Sequence, residues 1–138
     1  MSKSNLTKIE EEKTFGSQIM IVVGRVPKKN HDATVQIFKQ FNDIFRKHGG
    51  LCVEFFQLNN TKTYEDIGLI NIVNTVSANQ EDEDVWVELQ YYRDRNHMDE
   101  VIAKMGNDEN CGRLYKQSLD LLTPGTSFIL GEFGRLKI

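Results

Sequence analysis

Only two cysteines, Cys52 and Cys111, occur in 138 residues, far apart and outside any C-x-x-C pair. That excludes a disulfide framework and fits two reduced thiols in a cytoplasmic protein. No charge of one sign dominates: 17 Lys and Arg stand against 20 Asp and Glu, a formal net charge of −3. Such a balance gives no global attraction to nucleic acid or to an anionic membrane. No apolar run is long enough to span a bilayer, and the Lys-, Ser- and Glu-rich start carries no signal-peptide pattern. G-x-G-x-x-G, phosphate-loop and Ser-His-Asp signatures are missing. His31, His48 and His97 share no metal-ligand spacing with one another or with the cysteines. The acidic turn at residues 80–84 lacks the internal Gly and distant Glu of an EF-hand loop. No metal and no cofactor are expected.

What remains is ordinary globular composition, 39% hydrophobic and 27% charged, at a length that suits one domain. Residues 1–16 are polar, with Glu10, Glu11 and Glu12 in a run, and read as a flexible N-terminal tail. Residues 17–138 form the single domain. The segment 18–26 is a strand, apolar on both parities and stopped by Pro27. Residues 30–48 give the best helix, with Ile37, Phe38, Phe41, Ile44 and Phe45 on one face. Asn30 or Asp32 suits its cap, and Gly49 and Gly50 end it. Residues 51–58 make a second strand, with Cys52, Glu54, Phe56 and Leu58 on one side. Residues 68–76 alternate enough for a short edge strand.

The organising stretch is 85–105, a strand, a polar corner and a helix. Val85, Val87, Leu89 and Tyr91 share one face of the strand, and Trp86, Glu88, Gln90 and Tyr92 share the other. The uniformly apolar face is expected beneath the helices. A further helix at 109–122 and a last strand at 126–133 complete the order. This is the split plan of an α+β, ferredoxin-like β-α-β-β-α-β domain, with an antiparallel sheet and helices on one face. The bare face then needs cover, which predicts a homodimer through the sheet. Trp86 and Phe56 are expected to lie in that contact. The strand VWVELQYY lacks the basic-Gly-aromatic core of an RNA-recognition motif, so no nucleic-acid partner is expected.

Several fixed-order segments resemble the YbaA-like family, domain of unknown function 1428, in the dimeric α/β-barrel superfamily. They are Val26-Pro27-Lys28-Lys29-Asn30, His48-Gly49-Gly50-Leu51, Tyr92-Arg93-Asp94-Arg95-Asn96-His97, Asp99-Glu100-Val101, Ala103-Lys104 and Ile129-Leu130-Gly131-Glu132-Phe133. The resemblance implies two ferredoxin-like sheets packed face to face in a dimer. It brings no established reaction.

Two groups of residues are candidates for chemistry. Arg95 and His97 match the family pattern at a strand-to-helix corner, where free backbone N–H groups favour anions such as a substrate carboxylate or enolate. The plain alternative is a cap by Asp94 or Asn96, with Arg95 tied to a nearby carboxylate. Glu54, Glu88 and Gln90 are expected on one sheet face, where buried carboxylates raise one another's pKa and tune a general base. Their plain alternative is pairing with Arg25, Arg95 or Arg135, or a place at the wet rim of an interface. His97, Arg95 and Glu88 are thus the catalytic candidates. Arg95, His97, Glu54, Glu88, Trp86 and Tyr92 are the ligand-binding candidates. The sequence supports a small-molecule-binding dimer, or alternatively a cofactor-independent enzyme of oxygenase or isomerase type acting on a small, partly apolar substrate.

Overall fold

The computed structural model describes residues 15–138. The expected tail lies, as far as residue 14, outside the described residues. Strand β1 (Gln18–Pro27) leads through a 3-10 turn (Lys28–Asn30) into α1 (His31–Lys47). Strand β2 (Cys52–Gln57), a 3-10 turn (Glu65–Ile67) and the short α2 (Ile72–Thr75) follow. Strand β3 (Glu83–Tyr92), α3 (Arg95–Gly106), α4 (Glu109–Asp120) and β4 (Ile129–Gly134) complete the chain. The sheet order is β2-β3-β1-β4, antiparallel throughout. The fold is α+β and ferredoxin-like.

Local chemistry explains the ends of the elements. Gly49 takes a left-handed φ of 94°, and a Cβ on Gly50 would come within 2.1 Å of the Phe45 ring. Only a Gly-Gly pair lets α1 stop there and its Phe45 stay in the core. Asn30 caps α1 by position, but its side chain does something else. Its Nδ2 donates to the Leu121 carbonyl at 2.7 Å, fastening the start of α1 to the end of α4. Asp94 accepts from His97 N at 2.8 Å and caps α3. Asp108 accepts from Asn110 N at 2.9 Å and caps α4. Just before β1, Phe15 packs edge-on against Tyr91, and the Gly16 carbonyl accepts from Arg135 Nε at 2.9 Å.

The edge strand expected at 68–76 does not form. Gly68 turns the chain with a φ of 72°, and Asn71 then works as a local hub. Its Oδ1 accepts from Val73 N at 3.0 Å, while its Nδ2 donates to Asn60 O at 2.8 Å and Lys62 O at 3.0 Å. These side-chain bonds give the backbone an alternative to a ladder. The Leu69, Ile70 and Ile72 that suggested a strand are exposed.

The larger correction concerns the faces of β3. Trp86 packs on Phe38 of α1 at 5.8 Å between ring centroids, and Tyr92 on Phe45 at 5.4 Å. Tyr92, Phe45, Met98, Val101 and Met105 form the buried core. The even residues Trp86, Glu88, Gln90 and Tyr92 therefore lie under the helices, and Val87, Leu89 and Tyr91 lie on the open face, the reverse of the expectation. The reason is reach. Helices stand off a sheet, and Trp, Tyr and Phe bridge that gap where Val cannot. Register extends the assignment to the other strands. Glu54 pairs with Leu89 and Phe56 with Val87, so both sit on the open face. Phe56 is where it was expected, whereas Trp86 is not, and Glu54 does not share a face with Glu88 and Gln90.

Candidate functional site

Between the sheet and helices α1 and α4 lies a cavity of about 240 Å³. Its floor is the helix side of β1 and β3, including Met20, Val22, Trp86, Glu88 and Gln90. Its roof is Phe38 and Phe41 of α1 with Leu114 and Ser118 of α4. Gly24 in the floor has no side chain, which leaves room for the Phe128 ring. A Cβ there would lie 2.5 Å from it. Tyr115 and Leu130 line the same space yet are 57% and 62% exposed, which places the mouth beside them.

Glu88 is the one charged side chain lining this cavity among the described residues. The period of two along β3 sets Glu88, Gln90 and Tyr92 in a row on the helix side. The Tyr92 hydroxyl donates to Gln90 Oε1, and Gln90 Nε2 donates to Glu88 Oε2. The row is polarised in one direction and ends on the carboxylate. Glu88 Oε1 has no hydrogen bond among the described residues. Burial pushes the Glu88 carboxyl up to about 7, with the Gln90 hydrogen bond pulling more weakly the other way. Burial, then the Glu88 and Glu132 carboxylates, push the Tyr92 phenol well above its usual range. Tyr92 is therefore a donor in this row across the working pH range. Trp86, between the rings of Phe38 and His31, is 8% exposed. Its Nε1–H is buried and finds no acceptor among the described residues.

The structure thus brings together Glu88, Trp86 and Tyr92 from the sequence candidates and separates the others from them. Arg95 is on the surface, with Nη1 2.6 Å from Glu132 and Nε 3.3 Å from Asp99. His97 is 5% exposed and fully engaged. Its Nδ1 accepts from Arg93 N at 2.9 Å and its Nε2 donates to the Gly49 carbonyl at 2.8 Å, which sets the tautomer. Both nitrogens pin the corner after β3 to the end of α1. Glu54 is on the opposite side of the sheet, where burial first and the Glu54 carboxylate second push up the Cys52 thiol and the Tyr91 phenol. Sequence reasoning gave no site role to Ser118, and read Tyr115 only as support for the helix at 109–122. The signal for Ser118 was its four-residue step from Leu114, which puts it on the sheet-facing stripe of α4. Among the described residues no cluster of His, Cys, Asp and Glu could hold a metal ion, and no helix is long and apolar enough to cross a membrane.

The family model described as "Protein of unknown function (DUF1428)" matches residues 18–120. Among solved structures, the chain is similar to a mutant form of SnoaB, a cofactor-independent oxygenase from Streptomyces nogalater. That similarity has a TM-score of 0.53 at 10% sequence identity and covers 89% of this chain and 97% of that one. At that identity the likeness shows the fold alone. No curated protein matches.

Proposed function

This chain belongs to the DUF1428 family, and we propose that it binds a small, largely apolar molecule in the sheet–helix cavity, as a homodimer joined through the open sheet face. The observation that carries the binding role is an apolar cavity with Glu88 as the one charged side chain in its lining among the described residues. A pocket of this kind takes its affinity from apolar burial and its orientation from the few polar groups. The ligand that fits has a flat apolar body and offers one hydrogen-bond donor to Glu88.

The dimer rests on the other side of the sheet. Ile19, Ile21 and Val23 of β1 lie there beside Val87 and Leu89 of β3. Phe56, Ile129 and Phe133 join them and are 48%, 54% and 51% exposed. A contiguous apolar patch on a sheet face is characteristic of an interface, and a second copy of the same chain matches it in size and flatness.

Trp86 is the only tryptophan, so its emission reports what enters the cavity. Titration with 1-naphthol should give a saturable change in that emission. Val22→Phe, which fills the cavity from β1, should abolish the change while the protein still melts cooperatively. A change that is linear in naphthol, or that survives Val22→Phe, would remove the cavity from consideration. Gel filtration with light scattering tests the dimer separately.

A second reading, catalysis without a cofactor, is favoured by one observation. Burial pushes the Glu88 carboxyl up to about 7, the range that suits a general base. The fold neighbour described as a cofactor-independent oxygenase is compatible with that reading.

A further inference from the structure

We propose that Glu88 is a general base that takes a proton from carbon in a flat, largely apolar carbon acid, and that the site carries out a proton shift within that molecule. The substrate class is a compound whose C–H is acidified by a conjugated carbonyl or an electron-poor ring. The proposal rests on the cavity reading above and adds the chemistry to it.

The geometry supplies each part of such a reaction. Glu88 Oε2 is held by Gln90, which is itself held by Tyr92, so the carboxylate cannot rotate freely. Oε1 has no hydrogen bond among the described residues and belongs to a side chain of the cavity wall. Two residues away on the same face, Trp86 carries a buried N–H with no acceptor among the described residues. Trp86 Nε1 has almost no accessible surface, so the indole is packing in the cavity floor and not a polar contact for the substrate. A planar molecule in the cavity presents its C–H to Glu88, the one charged side chain in the lining among the described residues.

The balance closes without a further reactant. The C–H bond breaks, the proton goes to Glu88 Oε1, and the electron pair moves into the substrate's own conjugated carbonyl or electron-poor ring. Glu88 then returns the proton at another carbon, giving an isomer and restoring the carboxylate. The Gln90 amide and Tyr92 hydroxyl are positioning residues, since they touch the base and not the substrate. The other titratable groups near Glu88 are Tyr92 on its own strand, Tyr115 of α4 at the mouth, and Glu132 of β4, which is paired with Arg95. β1, β2 and α1 contribute only uncharged side chains to this cavity.

The test uses 5-nitrobenzisoxazole, a small planar carbon acid that needs only a base. Removal of its ring C–H proton breaks the N–O bond, forms a nitrile and releases a coloured phenolate. The full-length protein should accelerate this conversion beyond the same concentration of acetate, with a rate that rises as pH passes through about 7 and then levels. Glu88→Gln should lower the rate at least a hundredfold, the lower bound of what a positioned base contributes, about 10²–10⁴. Glu88→Asp should keep a reduced rate with the same form of pH profile. Gln90→Leu should shift the midpoint of the profile upward, which a merely structural role would not do. Trp86 emission measures binding of the same probe throughout. If the probe binds and Glu88→Gln turns it over as fast as the unchanged protein, the base is wrong and the cavity stands. If the probe does not bind, both fall. Should Glu88→Gln fail to fold, Val22→Phe keeps Glu88 and closes its cavity. Turnover that persists in that variant overturns the proposal.

Discussion

The two faces of one sheet are made from alternate residues of the same strands, yet they solve different problems. The helix side of β3 reads Trp, Glu, Gln, Tyr, and every one of these side chains is buried. The open side reads Val, Leu, Tyr over its last six residues, and all three are only partly buried. The more polar set is thus the more deeply covered. A helical layer must be reached, so it selects long side chains and tolerates polar atoms that satisfy one another. The open face instead carries Val87 and Leu89 beside the Tyr91 phenol and the Glu54 carboxylate. Apolarity along one parity of a strand therefore does not by itself mark the intramolecular core.

Substitutions that act on one face only will break or sharpen that contrast. The largest effect is expected from Leu89→Asp on the open face. Its cross-strand neighbour is Glu54, so the new carboxylate has a like charge beside it. In a dimer it would be buried twice over, at an effective cost of several kcal/mol per ion. Light scattering should find the unchanged chain as the proposed dimer and the variant as a folded monomer. A Leu89→Asp protein that remains dimeric would place the interface elsewhere.

Trp86→Ala, one residue outside that parity, should do the opposite. It removes a large buried ring from the contact with Phe38 and His31, costing about 3–5 kcal/mol of stability as other buried aromatic truncations do. The oligomeric state should not change, provided the variant is studied below its lowered melting temperature. Urea denaturation and light scattering on the same sample separate the two effects.

Glu88→Gln should stabilise the protein, and only above a certain pH. Burial raises the folded-state pKa of Glu88 from 4.5 to about 7, so the folded chain disfavours the charged form. Below the unfolded value both states hold the proton and nothing is lost. Stability then falls between about pH 4.5 and about pH 7 and stays lower above it. A neutral glutamine avoids that loss, which amounts to about 3 kcal/mol at roughly 1.4 kcal/mol per pKa unit. Denaturation midpoints at pH 4.5 and pH 8 check this. Equal gains at both would mean that the carboxylate is not desolvated in the folded state. A gain in stability joined to a loss of turnover would mark Glu88 as a group kept for function.

The smallest effect is expected at Arg95. Its partners Glu132 and Asp99 lie at the surface, and its own side chain is 58% exposed. Solvent screening limits such pairs to about 0.2–1 kcal/mol. Arg95→Ala should therefore move the melting temperature by a few degrees at most, and naphthol should still quench Trp86 with unchanged affinity. A tenfold loss of affinity would extend the ligand site to the corner after β3.

Much of the fold was legible in the sequence because its signals are local. The apolar step of Ile37, Phe38, Phe41, Ile44 and Phe45 marks α1, and Gly49-Gly50 marks its end. The alternation of β3 separates its two sets of residues correctly, and the strand–helix order dictates the split β-α-β plan. Family membership likewise follows from short segments in fixed order. The segment at 68–76 misled for the same reason that the others did not. Its apolar alternation is real, but Gly68 and the hydrogen bonds of Asn71 act through backbone geometry that alternation does not record.

Tertiary structure alone decided which side of the sheet the helices take, because a strand's two parities are equivalent until something packs on one of them. That choice moved Trp86 from a proposed interface into a cavity wall and carried Glu88 with it. It also parted Glu88 from Glu54, two carboxylates that no sequence period relates, since they stand on neighbouring strands whose register is a three-dimensional fact. The sequence determined a row of Glu, Gln and Tyr spaced by two. Only the covering helices, by removing water from that row, push the Glu88 carboxyl above its ordinary range.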